Sequence, residues 1–326
     1  MSQTPAQPSK SPGRTLRDLM AKGVVAAPGA FNGLVARAVA RAGFDAAYVS
    51  GGATSVAAGV PDVGILSLDH FARVVREVSS NAVREDGSRL PVIADADTGF
   101  GEQEMIRRTV IDYAHAGAAG LHLEDQVFPK RCGHLDGKTC VPVDLMVDNV
   151  RWAKKAALDS RDPDFIVCAR TDAVGVEGFD AAVDRAAAYV EAGADMIFPE
   201  GLHSEDEFAR FAEAVGRSAL RAGAGEAGSE SRRTQGPYML ANMTEFGKTP
   251  LIPLERFGAM GYDIVIFPVT TMRVAMGAVT RALAALKDEG TVASFLDGMQ
   301  TRDELYGLVG YRPGTPWELP GAHARR

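Results

Sequence analysis

Short apolar runs alternate with amphipathic segments along most of this chain, and the alternation repeats. Residues 41–50, 115–124, 191–200 and 259–268 each read as a helix end, a glycine, a small or polar step and an apolar run. The glycines are Gly43, Gly117, Gly193 and Gly261. A glycine just past a helix supplies the left-handed residue that ends it, and the apolar run that follows predicts a strand. One strand–helix unit of a barrel takes roughly 30–40 residues, so each interval between these glycines has room for two units.

The intervals contain the remaining strands. Residues 91–97, 164–171 and 237–243 are short β-rich runs, and residues 23–29 form a weaker first strand. Apolar residues recur at helical spacing between the strands, as at Phe71, Val74, Val75 and Val78, at Ile106, Val110 and Tyr113, and at Phe179, Val183, Ala186 and Val190. Eight short strands alternating with amphipathic helices predict an α/β fold, a closed (β/α)8 TIM-type barrel. The alternative, an open doubly wound sheet, is weakened because no GxGxxG motif follows an early strand.

The segments outside this pattern set the expected domain limits. Residues 1–14 are rich in Pro, Ser and Gln and predict a disordered tail. The barrel is expected over 15–290, with a Gly-, Ala- and Ser-rich insertion at 216–236 that predicts a flexible loop. Residues 291–326 are expected to form a helical C-terminal extension, with two short helices, and a tail.

Composition narrows the classes of function. The chain has 326 residues and a formal net charge of −7, which disfavours nucleic acid as a partner. Three cysteines without a CxxC pair disfavour a disulfide scaffold or a structural zinc site. No apolar run is long enough for a membrane span and the N-terminus has no apolar leader, so we expect a cytoplasmic protein without membrane contact.

Polar residues follow the predicted strands, and in a barrel the carboxyl ends of all strands meet at one mouth. Asp95 and Asp97 lie two residues apart at the end of strand three, and Glu124 ends strand four. Grouped carboxylates suit a hard cation such as Mg²⁺, although either aspartate alone could instead cap the next helix. Arg170 and Arg273 add cations that suit a substrate with several carboxylates, unless they pair internally with the acids.

The loop after strand four carries the candidate catalytic cysteine. It contains Lys130-Arg131-Cys132-Gly133-His134, in which two cations and a histidine surround a cysteine, the setting that lowers a thiol pKa. Gly133 would let the backbone approach a ligand closely. Cys168, by contrast, lies within a predicted strand and is expected to be an inert buried thiol.

This loop resembles the K-[KR]-C-G-H motif of the isocitrate lyase/phosphoenolpyruvate mutase superfamily. Further similarity lies in SGG at 50–52, DADTGFG at 95–101, GLHLEDQ at 120–126, ARTDA at 169–173, FPE at 198–200, NMTEFG at 242–247 and MQTRDELY at 299–306. The resemblance covers residues 23–311, and the length is nearest to the members that cleave 2-methylisocitrate. It implies a homotetramer in which the last helix is exchanged between neighbouring barrels.

The resemblance also implies residue roles. Asp95 and Asp97 would hold Mg²⁺, with Glu124 supporting through water. Cys132 would be the catalytic acid, with Lys130 or His134 as the alternative proton source and Tyr48 or a metal-bound hydroxide as the base. The substrate would be bound by Ser50, Gly51, Gly52, Gly133, Arg170, Glu200, Asn242, Met243, Thr244, Arg273 and Arg302. Phe198, Ile266 and Pro268 would surround a substrate methyl group.

The implied reaction is the Mg²⁺-dependent cleavage of a carbon–carbon bond in a small tricarboxylate such as 2-methylisocitrate, giving pyruvate and succinate in the breakdown of propionate. The alternatives are an isocitrate lyase, a dimethylmalate lyase or an oxaloacetate decarboxylase. A phosphonate mutase or hydrolase, and a barrel that binds a metabolite without turnover, are more distant alternatives.

Overall fold

A computed structural model describes residues 10–133, 135, 137–221 and 236–317 of the chain. Eight parallel strands lie within these residues. The strands are β1 Val25–Pro28, β2 Ala47–Val49, β3 Val92–Asp95, β4 Gly120–Glu124, β5 Ile166–Thr171, β6 Met196–Pro199, β7 Tyr238–Asn242 and β8 Ile264–Phe267. The α-helices are α1 Pro12–Met20, α2 Gly33–Arg41, α3 Gly51–Ala57, α4 Leu68–Asn81, α5 Gln103–Ala116, α6 Val143–Asp159, α7 Phe179–Glu191, α8 Glu205–Arg221, α9 Leu254–Ala259, α10 Thr270–Glu289 and α11 Arg302–Val309.

The strands form a closed barrel. Their order is β1-β8-β7-β6-β5-β4-β3-β2, and a parallel bridge between Gly29 and Tyr48 joins the two ends of this order. The N–H of Ala30 also donates to the carbonyl oxygen of Tyr48 at 2.8 Å. The predicted (β/α)8 TIM-type barrel is therefore confirmed, and the open sheet is excluded.

Side chains along each strand point alternately into the barrel and outward toward the helices, which divides the core into two layers. In β3, Ile93 points into the barrel, whereas Val92 and Ala94 point outward against the helices. The predicted helical stripes supply the other side of the outer layer; Phe71 and Val75 of α4, for example, are fully buried. Because successive side chains of a strand face opposite sides, only every second residue of a strand can reach the barrel axis.

Helix α1 closes the amino-terminal end of the barrel. Its Leu16 and Met20 pack with the interior cluster, and Arg17 donates to Asp195 at 2.8 Å just before β6. Asp162 accepts a hydrogen bond from the N–H of Gly13 at 2.7 Å. The opposite end, where the strands finish, is thus left as the mouth.

Two predicted boundaries differ from the structure. Helix α1 begins at Pro12, with Ser11 as its N-cap, so residues 12–14 are helical rather than part of a disordered tail. Helix α8 continues through Arg221, so the first residues of the predicted loop at 216–236 extend a helix. Residues 222–235 lie outside the described part of the chain, as do residues 1–9 and 318–326.

The C-terminal extension contains the two short helical segments that the sequence predicts. A 3₁₀ helix spans Ala293–Gly298, and α11 follows after the capping box of Thr301 and Glu304. None of the described helices is long and apolar enough to cross a bilayer.

Candidate active site

The mouth of the barrel is built on a buried aromatic pair. The hydroxyl group of Tyr48 lies 2.7 Å from Nε2 of His122, and both rings are buried in the barrel interior. Burial lowers the pKa of His122 to about 4, so its imidazole is neutral at pH 7 and can accept the proton of this bond. Burial, reinforced by the charge of Asp95, raises the pKa of Tyr48 well above its usual value. The phenol is therefore a donor in this structure rather than a ready base.

Three carboxylates lie above this pair, at the ends of β3 and β4. Asp95 accepts hydrogen bonds from the N–H groups of Gly51 and Asp97, each at 3.0 Å. Burial opposes ionisation of Asp95, but its pKa is nevertheless lowered because the charges of His122, Lys130 and Arg170 stabilise the anion. Burial raises the pKa of Asp97 to about 7 despite the charge of Lys130 beside it. The neighbouring aspartates thus have different affinities for a proton.

Glu124 has the fewest hydrogen-bond partners of the three carboxylates. Its side chain is buried, and neither carboxyl oxygen accepts a hydrogen bond from the described residues. Oε2 lies 3.2 Å from Nη1 of Arg170, which is its ion pair. Burial raises the pKa of Glu124 well above its usual value in spite of Arg170 and Lys130. A buried carboxyl group in this state is stabilised by a proton or by a cation.

Arg170 is the centre of the charge network. Its Nε and Nη2 donate to the two carboxylate oxygens of Asp172 at 3.0 and 3.1 Å, and its Nη2 lies 3.6 Å from Glu200. Its guanidinium also stands 5.2 Å above the ring of Phe198. The internal pairing that the sequence left as an alternative is therefore present. Asn242 at the end of β7 continues the network by donating to Glu200 at 3.1 Å.

The loop after β4 lies across this network. Lys130 is buried and forms ion pairs with Asp97, at 2.7 Å, and with Asp62 from the loop between α3 and α4. Burial lowers the pKa of Lys130, but the surrounding carboxylates raise it above its usual value, so the ammonium stays charged. Two residues further on, Cys132 is half-buried and free of any disulfide.

Gly133 lies directly on the network. A Cβ atom at this residue would lie 2.4 Å from Nη2 of Arg170 and 2.5 Å from Cγ of Glu200. No side chain fits at such distances, since carbon and nitrogen atoms in contact are about 3.5 Å apart. Glycine is required here by the close approach of the backbone, as the sequence led us to expect.

The Ser50-Gly51-Gly52 segment forms the start of α3 at the same mouth. Ser50 is the N-cap, and its Oγ accepts a hydrogen bond from the N–H of Ala53 at 3.2 Å. A Cβ on Gly51 would lie 2.5 Å from Oδ2 of Asp95, so this glycine too is required by a close approach. Gly51 is therefore beside the acids, whereas Gly52 faces Asp62, with its Cβ position 3.5 Å from Oδ2.

Some predicted site residues lie elsewhere. Met243 is buried in the outer layer, where its sulfur accepts a hydrogen bond from the N–H of Ile252 at 3.4 Å, so its side chain cannot bind substrate at the mouth. Arg273 is exposed and donates to the carbonyl oxygen of Glu245 at 2.6 Å. The side chain of Arg302 is exposed and forms no hydrogen bond or ion pair with a described residue. Thr244 is buried next to Met243, and His134 lies outside the described residues.

The structure adds residues that the sequence did not single out. Asp62 holds Lys130, and Lys138 reaches back from the end of the loop to donate to Asp172 at 2.7 Å. Asp172 is buried, and although burial opposes this, Arg170 and Lys138 lower its pKa to about 2. Asp62 and Lys138 lie in loops, away from the strand ends and the cysteine motif, so no local signal marks them, whereas Asp172 directly follows β5 within the motif at 169–173.

A cavity of about 920 Å³ reaches Glu124 from between the loops that follow β3 and β4. Gln126, Phe100 and Leu66 are among the residues that line it. The volume is in the range of small-molecule sites. Of the charged side chains described above, only Glu124 lines this cavity. The cavity adjoins a mouth with buried carboxylates, buried cations and a half-buried thiol, an arrangement that suits an enzyme acting on a small anionic substrate.

The comparisons with known proteins give the family. Residues 16–287 match the family model described as phosphoenolpyruvate phosphomutase. A protein of Corynebacterium glutamicum called probable 2-methylisocitrate lyase 1 is 47% identical over 293 residues, which are 90% of this chain and 87% of that protein. The chain belongs to the phosphoenolpyruvate mutase/isocitrate lyase superfamily.

Solved structures agree with this assignment. A crystal structure of 2,3-dimethylmalate lyase, described as a member of the same superfamily, has a TM-score of 0.79 and 34% identity over 93% of each chain. A phosphonopyruvate hydrolase in complex with oxalate and Mg²⁺ has a TM-score of 0.75 and 28% identity, and the match covers 92% of this chain and 95% of that one.

Proposed function

We propose that this chain cleaves 2-methylisocitrate into pyruvate and succinate in the breakdown of propionate. The observation that carries the proposal is the close approach of Gly133, the residue after Cys132, to Arg170 and Glu200, where Arg170 also pairs with the buried Glu124. The superfamily and the 47% identity to a probable 2-methylisocitrate lyase support the choice of reaction. The 2,3-dimethylmalate lyase structure makes that smaller hydroxy acid the second substrate to test.

We propose Mg²⁺ as the cofactor, and the acids fit it in a particular way. Across the described residues, no group of three or more His, Cys, Asp and Glu side chains is arranged to hold a metal ion. Mg²⁺, however, is usually bound by one or two carboxylates and several waters. Asp95 and Asp97 would hold it, and Glu124, whose oxygens accept no hydrogen bond from the described residues, would accept hydrogen bonds from its water shell. When bound, the ion would lower the pKa of the substrate hydroxyl group and offset developing negative charge.

The charge balance of the mouth also supports a cation. Five carboxyl groups form ion pairs with the three cations Lys130, Lys138 and Arg170; they belong to Asp62, Asp97, Glu124, Asp172 and Glu200. A sixth, that of Asp95, accepts hydrogen bonds from the N–H groups of Gly51 and Asp97. An anionic substrate would be repelled by this surplus of acids. Protons on Asp97 and Glu124, or a divalent cation in their place, reduce the repulsion.

We assign the remaining steps of the reaction to side chains of the chain itself. Cys132, which is half-buried, would deliver a proton to the carbanion that becomes succinate. Arg170 would stabilise the carboxylates of the substrate, although Asp172 already holds it firmly in place. Lys130 stays charged between Asp62 and Asp97, which suits electrostatic stabilisation better than proton donation. Tyr48 as the base would need a cation beside Asp95 to stabilise its phenolate.

Phe198 and Ile266 would form the surface against the substrate methyl group. Both side chains are buried in the barrel interior, and Phe198 lies under Arg170. A methyl group in such a pocket contributes only about 1–3 kcal/mol to discrimination. We therefore expect measurable side activity on isocitrate.

We also propose that the chain assembles into a homotetramer through α10. This helix has 20 residues, of which only Met272 is buried within the described chain. Val274, Leu283 and Leu286 expose 69%, 59% and 48% of their surface, which favours contact with another subunit. Light scattering after gel filtration tests the mass of the assembly. The cytoplasmic location expected from the sequence remains a prediction, which cell fractionation tests.

The decisive experiment compares 2-methylisocitrate, isocitrate and 2,3-dimethylmalate in separate assays, each with Mg²⁺ and with EDTA. We expect Mg²⁺-dependent release of pyruvate from 2-methylisocitrate to be the fastest reaction. Faster release of glyoxylate from isocitrate, or of pyruvate from dimethylmalate, would assign the chain to that substrate instead. Cys132→Ala should abolish turnover while Mg²⁺-dependent ligand binding persists, and Cys140→Ala, a second half-buried thiol, should remain active.

A further inference from the structure

The segment Gln126–Cys140, here called the Cys132 loop, is closed at its base. Gln126 and Cys140 form an antiparallel bridge, and the N–H of Val127 donates to the carbonyl oxygen of Thr139 at 2.8 Å. These contacts tie the two ends of the loop to each other. They do not by themselves fix where its far part, which carries Cys132, lies relative to the mouth.

The side chain of Gln126 holds the residue before Cys132. Its Nε2 donates to the carbonyl oxygen of Arg131 at 2.9 Å, and its Oε1 accepts from the N–H of Arg131 at 2.9 Å. Gln126 is buried, and its neighbour Asp125 accepts hydrogen bonds from Thr171 and the N–H of Asp172 at 2.8 and 2.9 Å. The side-chain amide of Gln126 thus fixes the backbone of Arg131 relative to the buried end of β4.

The side chain of Lys138 holds the residue after Cys132. Its ammonium group donates to the carbonyl oxygen of Gly133 and lies 2.7 Å from Oδ1 of Asp172. Only 5% of the side chain is exposed. Asp172 is itself immobilised, because it is fully buried and accepts two hydrogen bonds from Arg170. Cys132 is therefore flanked by two backbone positions, each held by a different buried side chain.

We propose that Gln126 and Lys138 are positioning residues that together fix Cys132 over the reacting carbon. The inference rests on the proposed function, because it assigns the geometry needed for proton delivery by this thiol. Both side chains bond to the backbone beside Cys132, and because Gln126 also lines the cavity, KM is measured alongside kcat. A catalytic group that is displaced by about 1 Å loses on the order of 100-fold in rate, so a loop tied only at its base cannot replace these contacts.

The rival explanation is that Lys138 serves only to neutralise Asp172. Gln126 distinguishes the positioning explanation from the charge explanation, because it is uncharged and yet holds the backbone before Cys132. If position is what matters, Gln126→Leu and Lys138→Met act alike; if charge is what matters, only Lys138→Met has an effect.

The test measures kcat, KM, the melting temperature and the alkylation rate of Cys132 in Lys138→Met, Lys138→Arg and Gln126→Leu. Lys154→Met is the matched control, because Lys154 forms an equally close pair with Asp195, at 2.6 Å, at the other end of the barrel. Alkylation by iodoacetamide is followed peptide by peptide, so that Cys140 and Cys168 serve as internal references.

We expect kcat to fall about 100-fold in Lys138→Met and Gln126→Leu. KM should change little, Lys138→Arg should recover part of the rate, and Lys154→Met should keep the wild-type kcat. Alkylation of Cys132 should become several-fold faster in the first two variants and unchanged in the control. An equal loss of kcat in Lys154→Met, or unchanged alkylation of Cys132 in both loop variants, would overturn the proposal. If the wild type cleaves none of the three substrates, the proposed function fails, and the alkylation rates still decide whether these side chains position Cys132.

Discussion

Gly133→Ala is the sharpest perturbation that the structure offers, because it adds one methyl group at the point where the loop meets the charge network. The added Cβ would lie 2.4 Å from Nη2 of Arg170, 2.5 Å from Cγ of Glu200 and 2.7 Å from its Cδ. Contact distances are about 3.5 Å, so the loop or the two side chains must separate by roughly 1 Å. Arg170 cannot yield easily, since Asp172 holds it at two nitrogen atoms.

The loop is therefore the part expected to move, and Cys132 moves with it. A shift of about 1 Å at a catalytic group lowers the rate by on the order of 100-fold. Overpacking of a buried site also destabilises a fold, typically by about 1–3 kcal/mol. We expect kcat/KM to fall about 100-fold, while the denaturation midpoint falls only modestly because the loop can lift off the mouth.

Gly175→Ala is the matched control. Gly175 lies in the loop after β5, and a Cβ at this residue meets no heavy atom within 4 Å. Steady-state kinetics and urea denaturation of both variants make the comparison. A Gly133→Ala variant with the kinetics of the Gly175→Ala variant would refute the close approach of the loop to Arg170 and Glu200.

Three further predictions follow from the charged groups. Asp97 has a folded-state pKa of about 7 against an ordinary value of 3.8, so its contribution to stability is complete below about pH 4 and is lost as pH rises through 7. In urea denaturation without metal, the free energy of unfolding of the wild type should fall between pH 4 and pH 8 by up to about 4 kcal/mol more than that of Asp97→Asn. The same pH dependence of this free energy in both proteins would contradict the prediction. Saturating Mg²⁺ should raise the melting temperature, and by more at pH 8 than at pH 6, because the metal must displace that proton; a pH-independent rise would exclude Asp97 as a ligand. Arg170→Lys should lose about 1.5–3 kcal/mol in stability, since an ammonium group cannot bond both oxygens of Asp172; wild-type unfolding midpoints would show that charge alone suffices.

The sequence by itself determined the barrel and the composition of its mouth. Spacing of glycines and apolar runs indicated eight strand–helix units, because the period of the hydrophobic pattern follows directly from local backbone geometry. It also placed Asp95, Asp97, Glu124 and Arg170 together, since the carboxyl ends of all strands in a closed parallel barrel meet at one face. These inferences need only the order of elements along the chain.

The tertiary structure decided which side chains reach that mouth and what holds them. Met243, which directly follows β7, packs in the outer layer, a direction that composition does not reveal. Asp62 and Lys138 join the network from loops, whose paths depend on contacts distant in sequence rather than on local propensity. The sequence predicted that the charge of Arg170 binds substrate, but only the folded chain shows that Arg170 already forms an ion pair with Asp172. The sequence shows which residues are charged, whereas which of them form pairs depends on distances that exist only after the barrel has closed.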